Sequence, residues 1–310
     1  MNIRHLRYFV TLAREGHHGR AAATCNVTQP TLTGAIAQLE RALAVPLISR
    51  KGQRFAGLTD EGERVLLWAQ RILADQDALE RDIATMRVGL GGVLRIGAIP
   101  AATPVIPLVT SAFCQSHDKV TLRVLSQTSI EIERALEAGE IDVGLTYLDN
   151  EPLRSVRTYP LYKERYMLLT PRGGPFGDRA SVSWAEAAAL ELCLLTRDMQ
   201  NRRIMDGLFA SAGAAPRVTV ELDAILTLIA FVKTGAWSSV IPHTFLSLLD
   251  VSNATEDGLR AIPLTGPDAS HALGLVVPDR DPLPSLTQNF LSEATAVDVQ
   301  SVIDRRVGAE

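Results

Sequence analysis

Six histidines and three cysteines give this 310-residue chain its widest catalytic repertoire, and their spacing removes most of it. His5, His17, His18, His117, His243 and His271 are scattered, and no nucleophile elbow, phosphate-binding glycine loop, dinucleotide fingerprint or zinc-protease spacing accompanies them. Cys25, Cys114 and Cys193 are odd in number and far apart, which fits neither a disulfide framework nor a local zinc site. Buried free thiols are the plain reading, since a redox sensor needs two of them close together and one with a depressed pKa. No metal, no cofactor and no enzymatic activity are therefore expected.

The polar chemistry is concentrated elsewhere, in Thr28, Gln29, Pro30, Thr31, Thr33 and Gln38 and, a few residues on, in Arg50, Lys51 and Arg54. Hydroxyls and carboxamides on one helix face can pair with base edges in a major groove, and a proline offers an apolar contact to a thymine methyl. Cations beside them suit phosphate. The same residues also read as an ordinary solvated helix face, and the cations as a device that keeps a hairpin edge soluble.

Three helices are expected to hold that face. Ile3, Leu6, Phe9, Val10 and Ala13 share one side of a first helix that Gly16 ends. A second, short helix contains the small Ala21-Ala-Ala23 run, over which another helix can cross closely, and stops near Asn26, a residue that tolerates the left-handed turn. Leu32, Ile36, Leu39 and Leu43 stripe a third helix, with Thr28 as its N-cap and Pro30 in its first turn. Leu47 to Thr59 then reads as a hairpin with Gly52 at or near its tip. Three helices with a tight turn between the second and third, followed by a basic hairpin, predict a winged helix-turn-helix over residues 1–59.

Charge supports that division. Residues 1–59 hold eight basic and two acidic side chains, a surplus of six, whereas residues 60–90 carry −3 and the remainder −7, for the net −4 of the chain. A basic head on an acidic body suits a protein of which only the head meets a polyanion. Between them, Thr59 caps a helix expected over residues 60–89, with Asp60, Glu61 and Glu63 at its positive end and Gly89-Leu-Gly-Gly92 at its close. About thirty residues span roughly 45 Å. Its stripe of Val65, Trp68, Ile72, Leu79, Ile83 and Met86 needs cover, from a second copy or from the chain folded back on it.

The head resembles the LysR-type transcriptional regulators. The resemblance runs through Ile3-Arg-His-Leu-Arg-Tyr-Phe9, Ala21-Ala-Ala23, Val27-Thr-Gln-Pro-Thr-Leu-Thr33, Gln38-Leu-Glu40 and Leu58-Thr-Asp-Glu-Gly62. It implies that Thr28, Gln29, Pro30, Thr31 and Thr33 lie at the interface with double-stranded promoter DNA and that Arg50 and Lys51 sit on the wing. It also implies a homodimer through the long helix, a homotetramer as a dimer of dimers, and RNA polymerase as a further partner. Gly34 and Ala37 depart from it, because many relatives carry basic or polar residues there.

From Val93 the pattern changes to short β-branched runs alternating with helices: strands at 93–97, 120–125 and 141–145, helices at 104–116 and 130–138, then strands at 192–196, 217–222 and 238–241. Such alternation predicts α/β units with parallel sheets. The body resembles the two-lobed periplasmic-binding-protein fold that LysR-type regulators use for effectors. That resemblance implies a first lobe of residues 93–161 plus 267–303 and a second of 162–266, with crossings near Leu161-Tyr162 and Leu264-Thr265-Gly266.

Ligands of open α/β sheets bind beyond the carboxyl ends of the strands, where helix N-termini present N–H groups. Those positions hold Ala101 and Thr103, Thr128 and Ser129, and Thr146 and Tyr147 in the first lobe, and Thr196, Met199, Gln200 and Arg203 in the second. Thr103 is expected to cap a helix that Pro104 opens. Hydroxyls, helix N-termini and an arginine suit a small organic anion as effector, although serine and threonine also cap helices for stability alone. The run Thr146-Tyr-Leu-Asp-Asn-Glu-Pro152 resembles a subgroup of these regulators linked to formate dehydrogenase operons.

The rival reading is a solute-binding protein for transport, which would share the body but would need an export signal and have no use for a basic head. The charged start Met-Asn-Ile-Arg-His-Leu-Arg and the lack of any run of about eighteen apolar residues lead to the expectation of a cytoplasmic protein without membrane contact.

Overall fold

The computed structural model describes residues 2–51, 54–174, 176, 179–249, 258–267 and 269–307. They form two compact units, one built on residues 1–89 and one on residues 90–136 and 141–310.

In the first unit every helix starts at a side-chain cap. Asn2 accepts the Arg4 N–H to start α1, Ile3–Glu15, which Gly16 ends in the left-handed region at φ +61°. The His17 ring Nδ1 accepts the Gly19 N–H at 3.0 Å and starts α2, His18–Thr24. Asn26, at φ 53°, turns the chain into α3, Gln29–Leu43, where Thr28 caps and Pro30 occupies the first turn. Phe9, Leu12, Ala21, Leu32, Ile36 and Leu39 close a common core. The strands β1, Ile48–Lys51, and β2, Arg54–Leu58, pair antiparallel with a register shift between Ser49 and Arg50.

Thr59 then caps α4, Asp60–Val88, by accepting the Gly62 N–H at 2.9 Å. A Cβ on Gly62 would stand 2.1 Å from the Leu47 carbonyl oxygen, so only glycine lets the helix start against the hairpin. The apolar stripe of α4 divides. Val65, Ala69, Ile72 and Leu73 pack on the head core, which is the fold-back alternative, while Trp68, Leu79, Ile83 and Met86 are exposed, Met86 by 84%.

The second unit carries two sheets. The first has the order β4-β3-β5-β13-β6, from β3 (Gly92–Ala98), β4 (Val120–Ser126), β5 (Val143–Tyr147), β6 (Val156–Glu164) and β13 (His271–Pro278). Helices α5 (Ile106–Ser116) and α6 (Ser129–Glu137) connect its parallel strands. The expected parallel sheet is in fact mixed, because β13 runs antiparallel to both β5 and β6. The reason is topological: β6 carries the chain out toward the second sheet and β13 brings it back, so two opposed passes lie side by side.

The second sheet has the order β11-β7-β12-β8, from β7 (Tyr166–Pro171), β8 (Val182–Ser183), β11 (Ser239–Pro242) and β12 (Leu259–Thr265). A short helix α7 (Trp184–Ala187) follows β8. The parallel pair β9 (Glu191–Leu195) and β10 (Arg217–Leu222) joins this sheet through the Leu192–Ser238 bridge, with α8 (Gln200–Ser211) and α9 (Ile225–Lys233) packed on it. The chain ends in α10 (Ser285–Ala296) and α11 (Val299–Val307).

Four expectations need correction here. Leu161 and Tyr162 lie inside β6, and the chain leaves the first sheet at Arg165, because β6 stays paired to β13 as far as Glu164. Thr103 caps no α-helix: Pro100–Ala102 forms a turn of 3-10 helix, the Thr103 hydroxyl donates back to the Pro100 carbonyl at 2.8 Å, and α5 starts at Ile106 without a side-chain cap. Thr146 and Tyr147 are not in the loop after the third strand but inside β5, buried, because that strand starts at Val143. Asp142, read as part of the strand, instead binds the Arg95 guanidinium through two hydrogen bonds of 3.0 and 2.8 Å.

Candidate nucleic-acid interface and ligand cleft

On α3 the apolar stripe turns Leu32, Ile36 and Leu39 inward, and the period of the helix then leaves the opposite side to solvent. Thr28, Gln29, Pro30, Thr31 and Gln38 are exposed and Thr33 is half-buried. The Thr28 and Thr31 hydroxyls lie 2.8 Å apart, which fixes the first turn of the exposed face. Around Gly34 a Cβ would meet nothing within 4 Å, so that position is open ground on the same helix.

Not all of the head's positive charge is free for a polyanion. Arg7 pairs with Asp77 of α4 at 3.2 Å, and Arg14 and Arg20 both reach Glu15. The first and last of these pairs link α1 to α4 and to α2, while Arg14 and Glu15 are neighbours in α1; at the surface each contributes little to stability. On the wing the backbone pairs Arg50 with Phe55 and Lys51 with Arg54. The side chains of Arg50, Lys51 and Arg54, and the tip at Gly52, lie outside the described residues.

In the second unit a narrow void of about 10 Å³, room for one water, opens beyond β3 and β9. Of the ten positions expected around a ligand, Ala101, Thr128, Ser129, Met199 and Gln200 line it; Ile99, Pro100, Leu195 and Asn201 complete the wall. Thr128 caps α6 in a reciprocal arrangement, accepting the Glu131 N–H at 3.2 Å while the Glu131 carboxylate accepts the Thr128 N–H at 2.8 Å. No side-chain cap covers the first turn of α8. Two helix N-termini thus meet at one void. Among the described residues, Ser129 Oγ, Gln200 Oε1 and Asn201 Oδ1 are buried there without a hydrogen-bond partner.

Thr103, Thr146, Tyr147, Thr196 and Arg203 do not line the void. Arg203 is already committed: its Nε and Nη2 donate to both oxygens of Glu151 at 2.6 and 2.9 Å, and Nη1 donates to the Asp198 carbonyl at 2.6 Å. It fastens α8 to the segment after β5. The Thr196 carbonyl accepts the Met199 N–H at 3.1 Å, so Thr196 shapes the turn into α8.

Behind the void sits a group that sequence reasoning missed. Asn201 Nδ2 donates to the Tyr147 hydroxyl at 2.7 Å, which in turn donates to Glu164 Oε1. Glu164 is fully buried at the end of β6; burial pushes its carboxyl up to about 8, against the pull of the hydrogen bond from Tyr147. At neutral pH the waist therefore holds a neutral acid, and no buried negative charge repels an anion nearby. The available signal was the period of two that puts Tyr162, Glu164 and Tyr166 on one side of the chain.

The sequence matches the family model for the LysR substrate binding domain over residues 87–298 and that for the bacterial regulatory helix-turn-helix protein, lysR family, over residues 3–63. The chain belongs to the LysR family. This regulator is 27% identical to the DNA-binding transcriptional dual regulator OxyR of Escherichia coli, over 98% of each chain. It is likewise 27% identical to the uncharacterized regulator YybE of Bacillus subtilis, covering 87% of this chain and 90% of that one. Among solved structures, a full-length OxyR variant from Pseudomonas aeruginosa superposes with a TM-score of 0.73 at 25% identity over 97% of each chain. CbnR complexed with its target DNA shares the fold, with a TM-score of 0.68 at 24% identity, covering 96% of this chain and 99% of that one. The LysR-family regulator described here is thus a transcription regulator with an effector-binding domain, in a family of regulators rather than enzymes. Among its described residues no helix is long and apolar enough to cross a membrane.

Proposed function

We propose that this LysR-family regulator reads promoter DNA with Thr28, Gln29, Pro30, Thr31, Thr33 and Gln38 of α3, grips phosphate with Arg50, Lys51 and Arg54, and answers to a small organic anion in the cleft. The observation that carries the DNA reading is the exposed polar face of α3 on a head with a surplus of six positive charges. The exposed apolar residues of α4, Trp68 near its start and Leu79, Ile83 and Met86 in its far half, support pairing with a second copy, and two such dimers make the tetramer. RNA polymerase is the partner through which such a regulator acts, and the cytoplasm is where it meets its promoter.

The effector reading rests on the uncapped N-terminus of α8, the N-terminus of α6 and the neutral Glu164 behind them. Gln200 Oε1 and Asn201 Oδ1 are acceptors, so the ligand also carries O–H or N–H donors; a small hydroxy or amino acid has both features. The void, about 10 Å³, has room for one water, so such a ligand enters only where α8 and the first sheet move apart. The formate dehydrogenase link finds no counterpart in the relatives named above and is not carried forward. Cys193 is fully buried, and burial pushes its thiol up to about 11, so this thiol stays protonated at neutral pH and is not the reactive group of a thiol switch.

Gln29→Ala tests the DNA reading. In a titration of the full chain, the preference for its own promoter over scrambled DNA falls by about tenfold, as expected for one lost base contact, while affinity for scrambled DNA is unchanged. An unaltered preference would remove Gln29 from the interface.

A further inference from the structure

We infer that His17 is a positioning residue for DNA reading: its neutral imidazole holds the first turn of α2 closed beside Gln29, and protonating that ring opens the turn, so promoter recognition weakens in acid. The inference rests on the DNA reading proposed above.

The geometry is that of a cap with one working protonation state. His17 precedes α2 in extended backbone, and its Nδ1 accepts the Gly19 N–H at 3.0 Å and the Arg20 N–H at 3.3 Å. A neutral imidazole has one acceptor nitrogen and an imidazolium has none. Protonation therefore turns Nδ1 into a donor facing two donors, and it sets a positive charge at the positive end of a helix, so both effects act against the turn. His17 is exposed, which leaves the ring open to protons from solvent, and histidine is the side chain that changes charge between about pH 5 and 8.

The turn has little else to hold it. Helix α2 has only seven residues, and Gly19, a poor helix former, lies in its first turn. A Cβ on Gly19 would stand 3.0 Å from His17 Cε1, so the glycine gives the ring its room, and the same point lies 3.7 Å from Gln29 Oε1. The capped turn thus abuts the first residue of α3. In a helix-turn-helix the first helix crosses the DNA backbone while the second reads bases, so a frayed start to α2 loosens the support of Gln29. The charges around the ring are already engaged: Arg20 donates to the Glu15 carbonyl and stands 3.7 Å from its carboxylate, which Arg14 also reaches at 3.6 Å. Helix α3 presents the uncharged Gln29, and His18 turns to the wing, its ring edge to face with Phe55 at 6.2 Å.

Titration of the full chain at pH 8 and pH 5.5 with a duplex from immediately upstream of its own gene, against scrambled DNA, tests this, with hydrogen exchange at the Gly19 and Arg20 amides followed alongside. At pH 8 His17→Ala binds the duplex about fivefold more weakly than the parent, the ordinary worth of a side-chain cap, and His17→Asn, whose carboxamide oxygen accepts at any pH, restores the affinity. At pH 5.5 the parent falls to the level of His17→Ala, about fivefold below His17→Asn, and the two amides lose protection in the parent but not in His17→Asn. Every other titrating group is common to both proteins, so their ratio isolates His17. A parent that equals His17→Asn at pH 5.5, or amides protected equally in the two, would overturn the inference and leave the DNA reading in place; a parent with no preference for the duplex at pH 8 would overturn both.

Discussion

Replacing Glu164 with glutamine isolates the titration of one buried carboxyl. In the folded protein that group holds its proton to about pH 8, whereas the unfolded chain gives it up near the model value of 4.5. Between those values the native state carries one more proton, so stability is greatest at the acid end and falls as pH rises. His243 works in the opposite sense and in a lower window: folded near 4 and unfolded near 6.5, it removes stability as pH falls through that interval. From pH 6.5 to 8 only the Glu164 contribution remains, and 1.5 units at about 1.4 kcal/mol each make a loss of about 2 kcal/mol. The assay is urea unfolding of the full chain in a Trp68→Phe background, where Trp184 and Trp237 both report the effector-binding unit. The parent loses about 2 kcal/mol across the window, and Glu164→Gln, neutral throughout, loses none. A flat parent, or a glutamine variant with the parent's slope, would refute the claim that a buried neutral acid sits at the waist.

Two further outcomes follow from the geometry. Gly34→Lys places a side chain in open space on α3, so it stabilises the helix by about 1 kcal/mol and, by adding one phosphate contact, steepens the salt dependence of DNA binding by about 0.9 in log–log slope; an unchanged slope would show that the position faces away from the backbone. Arg202, 1% exposed, donates to Asp206 at 2.9 Å, Glu221 at 2.8 Å and the Leu195 carbonyl at 2.6 Å. Because its acidic partners are partly solvated, Arg202→Met costs about 2–3 kcal/mol in urea unfolding, toward the lower end for a broken buried pair, and a cost below about 1 kcal/mol would contradict it.

The head was legible because its signals are local. Thr28 before Pro30, Thr59 before three acids, Gly16 after α1 and Asn26 before α3 each set a helix boundary within one turn of the residue that reveals it. The body was legible only as far as its strands, whose order and direction depend on partners far away in sequence. Pro104 reads as the first residue of a helix because proline favours that position, yet Ile99-Pro100 makes a 3-10 turn first and Pro107 occupies the first turn of α5. Arg203 reads as a ligand-binding cation because nothing near it is acidic enough to claim it except Asp206; its partner, Glu151, is 52 residues away. Glu164 stands in sequence between Lys163 and Arg165, and its burial among Tyr147, Tyr162 and Tyr166 depends on contacts that these charged neighbours do not announce.

These long-range contacts change what an effector has to accomplish. Arg203 on α8 grips Glu151 in a forked pair, and Asn201 on the same helix reaches Tyr147 in β5, so α8 is tied in two places to the first sheet and the segment that follows β5. The two ties differ in kind: Arg203 and Glu151 are about 30% exposed and screened, while the Asn201–Tyr147–Glu164 chain is buried. The void between the ties, about 10 Å³, has room for one water and no more. A ligand that enters there acts only through the difference between its contacts in this setting and in another. With Ser129, Gln200 and Asn201 buried and unsatisfied among the described residues, the effector proposed above would gain the hydrogen bonds they lack only by parting α8 from the first sheet, at the cost of the ties already present.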